Sequence, residues 1–179
     1  IEGLKLRPEA KANVIIDAGC GIGKLIDNLR RYSDITIGVD ISPDAIRMAR
    51  EDNSSFFVLG DSLKLPIKNS VSNVCTCIHV IEHINEPVLL LKEMRRIMKH
   101  DGKAVFITPN RRWTRFMLPF LKDRTHVKEF TIGELKILIS DYFYIEDIKG
   151  FSMFTSFGIF NPILNMLLKP DIYISAVKK

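Results

Sequence analysis

Three acids stand at the ends of short β-branched or aromatic runs. Asp17 closes Val14-Ile15-Ile16, Asp40 closes Ile35-Thr36-Ile37-Gly38-Val39, and Asp61 follows Phe56-Phe57-Val58-Leu59-Gly60. Between the first two lies Gly19-Cys20-Gly21-Ile22-Gly23, with glycine at every second residue. Glycine opens backbone angles closed to other residues and lets a ligand lie against the main chain, where the first amides of the next helix face it. Glycines also close ordinary strand-to-helix turns, and one acid after a strand often just begins a turn. Three acids in succession beside a glycine loop favour a bound nucleoside.

Spacing narrows the nucleoside. Asp40 lies 17 positions after Gly23, near the ~20 expected for an acid that accepts from both ribose hydroxyls. The dinucleotide fingerprint G-x-G-x-x-G needs glycine at position 24, where Lys24 stands, and Gly23-Lys24-Leu25 lacks the hydroxyl a phosphate-binding P-loop requires. An acid ahead of the glycines would repel a phosphate laid against them.

The elements that must position these residues alternate. Strands are expected at Val14 to Asp17, Ile35 to Asp40, Phe56 to Leu59, Val74 to Val80 and Ala104 to Ile107. A helix after the glycines turns Leu25, Ile26, Leu29 and Tyr32 inward. Ser42 is expected to cap a second helix opening at Pro43, with Ala45, Ile46, Met48 and Ala49 apolar. Asn85 is expected to cap a third that buries Leu90, Leu91, Met94, Ile97 and Met98 and ends at Lys99 and His100 before Gly102. Thr131 and Glu134 form a capping box ahead of Leu135, Leu138 and Ile139. Tyr142 to Ile148 and Asp171 to Val177 read as two last strands, with a short helix or loop at Asn161-Pro162. Five strands joined by helices demand a mostly parallel sheet covered on both faces. The last pair fits an antiparallel edge.

A length of 179 residues suits one domain, 1–179, with 1–13 as a lead-in. The 46% hydrophobic and 26% charged residues are those of a globular chain, and no apolar run reaches the ~20 residues that span a bilayer. Three cysteines and no secretory leader point to a reduced, cytoplasmic setting. Cys75 and Cys77 lack metal-ligand spacing, so no metal is expected. The net charge of +5 is uneven: residues 110–130 hold six bases and two acids, a local excess of four, interleaved with Trp113, Phe116 and Phe120.

The pattern Asp17-x-Gly19-x-Gly21-x-Gly23 resembles the first motif of class I S-adenosylmethionine-dependent methyltransferases. Gly38-Val39-Asp40-Ile41-Ser42 resembles their second motif and Gly60-Asp61-Ser62 their third. Val80-Ile81-Glu82-His83-Ile84, Lys99-His100-Asp101-Gly102-Lys103 and His126 through Thr131 are similar to stretches of the type 11 branch. The resemblance implies a Rossmann-like, doubly wound α/β/α fold. Its seven strands would run in the order 3-2-1-4-5-7-6, with strand 7 antiparallel. It implies S-adenosyl-L-methionine as cofactor and S-adenosyl-L-homocysteine as product. It also implies a cofactor site of Asp17, Gly19, Cys20, Gly21, Gly23, Asp40, Ile41, Asp61, Ser62, Ile78 and His79, with Asp40 on the ribose, Ile41 on the adenine and Asp61 on its amino group. Two departures stand out. Only 13 residues precede Val14, so the lid of the family is truncated or built elsewhere, and Ile78-His79 replaces a small polar residue and an acid.

Methyl transfer from a sulfonium needs an aligned nucleophile and exclusion of water. Where the acceptor must lose a proton, His79 and His126 are the candidate bases. His83, with Glu82, and His100 read as structural. The segment 110–130 is the candidate substrate cap, with Asn110, Trp113, Arg124 and His126 toward the acceptor. A small or lipid-linked acceptor is expected ahead of RNA, and peripheral membrane contact stays open. The alternatives are an RNA (tRNA) methyltransferase and a non-catalytic protein that binds the cofactor.

Overall fold

The computed structural model describes residues 12–52, 55–112, 125–151 and 171–179. The elements are β1 (Ala12–Ala18), α1 (Lys24–Leu29), β2 (Ser33–Asp40), α2 (Pro43–Asp52), β3 (Phe56–Leu59), β4 (Ser72–Ile78), α3 (Pro87–Ile97), β5 (Met98–Pro109), α4 (Ile132–Ser140), β6 (Phe143–Phe151) and β7 (Asp171–Lys178). One seven-stranded sheet runs β3-β2-β1-β4-β5-β7-β6. Strands β1 to β5 pair in parallel, and β7 is antiparallel to both β5 and β6. The expected order and the single reversed strand are both present. Parallel pairing puts the ends of β1, β2 and β3 on one edge, which gathers Asp17, Asp40 and Asp61 there.

Helices bury the sheet. Leu90, Leu91, Met94 and Ile97 of α3 are fully buried, together with Leu135 and Ile139 of α4, against Cys75, Cys77, Ala104 and Phe106. On another part of the sheet Ile15, Leu29, Val105 and Tyr173 form a second cluster. Burying a large aliphatic side chain contributes about 1.5–3 kcal/mol, so these faces fix the strand order. Thr131 and Glu134 form the capping box expected of them, and the Ser42 hydroxyl accepts from Ala45 N at 3.2 Å.

Four local expectations are corrected. Strand β4 stops at Ile78, not Val80, because His79 takes φ +52°, a left-handed value that breaks the extended run. Glu86, not Asn85, is the N-cap residue of α3, and Pro87 begins the helix. Lys99 and His100 belong to β5, whose register against β4 shifts between Ser72 and Val74. His100 therefore pairs with Asp101 at 2.8 Å instead of closing a helix. Met48, placed on the apolar side of α2, is 46% exposed. Asn161-Pro162 lies outside the described residues. Among the described residues no helix is long and apolar enough to cross a membrane.

Candidate cofactor and acceptor site

The glycine turn after β1 is held from both sides. The amides of Gly19 and Cys20 both donate to Val39 O of β2, at 2.7 and 3.0 Å. Gly19 has φ +85°, and a Cβ on it would stand 2.2 Å from Val80 Cγ2, so no other residue fits. Gly21, at φ +52°, has open space where its Cβ would point. The backbone at Gly21 is therefore accessible to a ligand.

The three acids behave differently. Asp40 Oδ2 accepts from Gly21 N at 2.7 Å and Oδ1 from Ser42 N at 2.9 Å. Each oxygen keeps a second lone pair for a further donor. Asp61 Oδ1 accepts from Leu63 N at 2.8 Å within its own turn. Asp17 is only 2% exposed, and its Oδ1 accepts from the Thr76 hydroxyl at 2.6 Å. Burial pushes its carboxyl up to about 6, with Thr76 opposing and Asp40 adding to the rise.

A cavity of about 590 Å³ opens at this edge of the sheet. Gly19, Gly21, Asp40, Ile41, Asp61 and Ser62 line one side, and His79, Val80, His83 and Asn85 line another. Ile41 is 70% exposed and offers an apolar surface at the cavity. These features fit an adenosine-bearing cation: a backbone that a ligand can approach, two carboxylates with lone pairs to spare, and an exposed aliphatic residue.

Beyond β4 the chain forms a 3-10 turn, Ile81–His83. Glu82 is wholly buried. Its Oε1 lies 3.3 Å from His79 Nδ1, and its Oε2 accepts from the Thr108 hydroxyl at 2.9 Å. The hydrogen bond to Glu82 raises the pKa of His79 above the usual imidazole value, with burial opposing it. Val127 N and Lys128 N both donate to Glu82 O at 2.9 Å, which ties the 125–130 segment to the turn. His126 Nδ1 lies 3.3 Å from Glu129 Oε1, and its ring meets that of His83 edge-on at 4.9 Å.

Not every residue expected at the cofactor lines the cavity. Asp17, Cys20, Gly23 and Ile78 do not. Cys20 packs over Gly38, where a Cβ would stand 2.6 Å from Sγ, and burial pushes its thiol up to about 12. Gly23 is the N-cap residue of α1 at φ +80°, and a Cβ there would stand 2.9 Å from the Phe57 ring. Ile78 packs on the Ile15 and Tyr173 cluster. Asn110 is 6% exposed, bridges to Phe130 and accepts from Arg112 N at 3.2 Å. Trp113 and Arg124 lie outside the described residues, as does most of the expected cap. Sequence reasoning passed over Val80, Asn85 and Glu86, which line the cavity, and it read His83 as purely structural. Their position just after a central parallel strand was the available signal.

Residues 16–106 match the Methyltransf_11 family, described as a methyltransferase domain. An uncharacterized protein of Methanocaldococcus jannaschii is 25% identical over 174 residues, covering 97% of this chain and 70% of that one. The ubiquinone biosynthesis O-methyltransferase of Actinobacillus pleuropneumoniae is 26% identical over 114 residues, or 58% of this chain. The match spans about half, 49%, of that enzyme's length. Among solved structures, the Haloferax volcanii chain in complex with the Trm112 methyltransferase activator superposes with a TM-score of 0.80 at 16% identity, covering 99% of this chain and 86% of that one. The glycine turn, the acid that ends β2, the acid just after β3 and a family match over half the chain lead to one assignment. This chain belongs to the class I S-adenosylmethionine-dependent methyltransferase family, whose cofactor is S-adenosylmethionine.

Proposed function

We propose that the chain transfers a methyl group to a small-molecule or lipid-linked acceptor held in the cavity between Asp40 and His79. The observation that carries this reading is the cavity itself, with carboxylates and the bare glycine backbone on one side and the His79 to Asn85 segment on another. The similarity to a ubiquinone biosynthesis O-methyltransferase supports a small-molecule acceptor.

When bound, S-adenosylmethionine supplies a methyl group on a positively charged sulfonium. Asp40 would hold the ribose hydroxyls, Asp61 the adenine amino group, and Ile41 the adenine face. The Gly19–Gly21 backbone would pass beneath the rest of the cofactor. His79, fixed by its left-handed backbone and by Glu82, is among the residues that line the cavity and would orient the acceptor there. Such a site works mainly by holding two reactants in line and excluding water.

Calorimetric titration with S-adenosylhomocysteine tests the first half: one-to-one binding is expected, and no binding to the folded chain would sink the reading. Labelled S-adenosylmethionine offered with phenolic, polyprenyl-linked and RNA acceptors tests the second. Labelling of RNA alone would replace the proposed acceptor class.

A further inference from the structure

One ligand atom from each of Glu82, His83 and His126 lies within 4.8 Å of the other two, beside the cavity. We propose that these side chains form a binding site for a divalent first-row transition-metal ion, which anchors an oxygen of the methyl acceptor.

The two imidazoles are set in the form a metal needs. His83 Nδ1 lies 3.1 Å from the carbonyl oxygen of Thr125, and His126 Nδ1 lies 3.3 Å from Glu129 Oε1. A carbonyl and a carboxylate only accept, so each ring in its neutral form carries its proton on Nδ1 and its lone pair on Nε2. Metal-ligating histidines are commonly oriented in this way.

Glu82 is oriented as well. His79 and Thr108 engage one oxygen each, and each oxygen keeps a second lone pair. A wholly buried carboxylate is costly unless hydrogen-bonded, paired or metal-bound. The paired amides of Val127 and Lys128 on Glu82 O fix the backbone of the His126 segment against the turn. The His83 and His126 rings meet at 69°.

Size decides what must move. Two ligand atoms each ~2.0–2.1 Å from a tetrahedral metal stand ~3.4 Å apart, closer than the 4.8 Å within which the three atoms lie. Exposed His83 swings inward to close that gap on binding. Two imidazoles and one carboxylate favour transition metals over magnesium or calcium, and three protein ligands leave a coordination position open. Because His83 also lines the cavity, that position adjoins the acceptor. The anchoring role rests on the methyltransferase reading; the metal site does not. The three cysteines are buried and do not compete for the ion.

Titration of the full chain with Zn2+ by calorimetry, and with Co2+ by visible absorption, tests the site. One ion per chain is expected, with affinity reduced about tenfold or more in His83→Ala and in His126→Ala. Unchanged affinity in both variants, or no stoichiometric binding, overturns it. Glu82→Gln is checked for folding by circular dichroism. If it unfolds, exposed His83 carries the test. S-adenosylhomocysteine titration of the same chain separates the two readings. Metal binding without it overturns the methyltransferase reading alone, whereas its binding without metal overturns the metal site alone. Chelation should abolish turnover at unchanged S-adenosylhomocysteine affinity, and unaltered turnover removes the anchoring role.

Discussion

Asp40 accepts the amide proton of Gly21 at 2.7 Å, so the acid at the end of β2 and the glycine turn after β1 form one unit. The same carboxylate holds Ser42 N at 2.9 Å, at the head of α2. Replacing it removes two amide contacts and the expected ribose acceptor together. Asp40→Ala should weaken S-adenosylhomocysteine binding at least tenfold, since one hydrogen bond to a charged group is worth about 1.5–3 kcal/mol. Calorimetry with a folding control measures this, and near-normal affinity would remove Asp40 from the cofactor site.

Gly19 faces Val80 so closely that any side chain must displace it. Gly19→Ala adds a 2.2 Å clash to a left-handed backbone at φ +85°. Overpacking and strain of this kind each cost about 1–3 kcal/mol. Denaturant unfolding should show the two together as a loss of about 2–6 kcal/mol. Adding Val80→Ala should restore only the steric part.

The buried carboxyl of Asp17 makes stability depend on pH. Its pKa is raised in the folded chain, from the ordinary 3.8 to about 6, mainly by burial. Between those values the folded chain holds a proton that the unfolded chain has released. The stability this provides is full below about pH 4 and is lost as pH rises through about 6. Asp17→Asn should flatten that decline and, near neutral pH, stabilise the chain by roughly 2–3 kcal/mol relative to the parent. Asn can still accept from Thr76. Melting curves from pH 4 to 7.5 compare the two, and parallel curves would show that Asp17 titrates normally.

Arg96 on α3 steadies the loop that carries Asp61 and Ser62. It donates to Leu65 O at 2.9 Å, Ile67 O at 2.8 Å and Asn69 Oδ1 at 2.7 Å, and it pairs with Glu93, which itself accepts from Leu65 N. Arg96 holds the Glu93 carboxyl below the usual range. Arg96→Met should cost about 1–3 kcal/mol and weaken S-adenosylhomocysteine binding several-fold. Arg96→Lys should not rescue it, because one ammonium cannot reach all these acceptors. Unchanged binding would show that the loop holds without Arg96.

Much of this architecture was legible because its signals are local. The β-branched runs of β1, β2 and β3 and the Thr131–Glu134 capping box are written in adjacent residues. What escaped depends on contacts distant in sequence. The end of β4 at Ile78 is set by the left-handed turn of His79, whose amide donates to Ile107 O. The burial of Asp17 under Thr76 joins residues 59 positions apart. The grouping of Glu82, His83 and His126 needs the Val127 and Lys128 amides to fold back onto the 3-10 turn, and no spacing rule announces that.

Among the described strands β6 pairs with β7 alone, while β7 joins it to β5. Strand hydrogen bonding to the parallel strands thus reaches β6 through a segment late in the sequence, although the Phe143 ring also packs edge-on against Phe106 of β5 at 5.9 Å. Any fluctuation that peels β7 away leaves β6 without its hydrogen-bonded neighbour among the described strands. Amide exchange in β6 should therefore be no slower than in β7, and the two should open as one cooperative unit while β1, β2 and β4 stay closed.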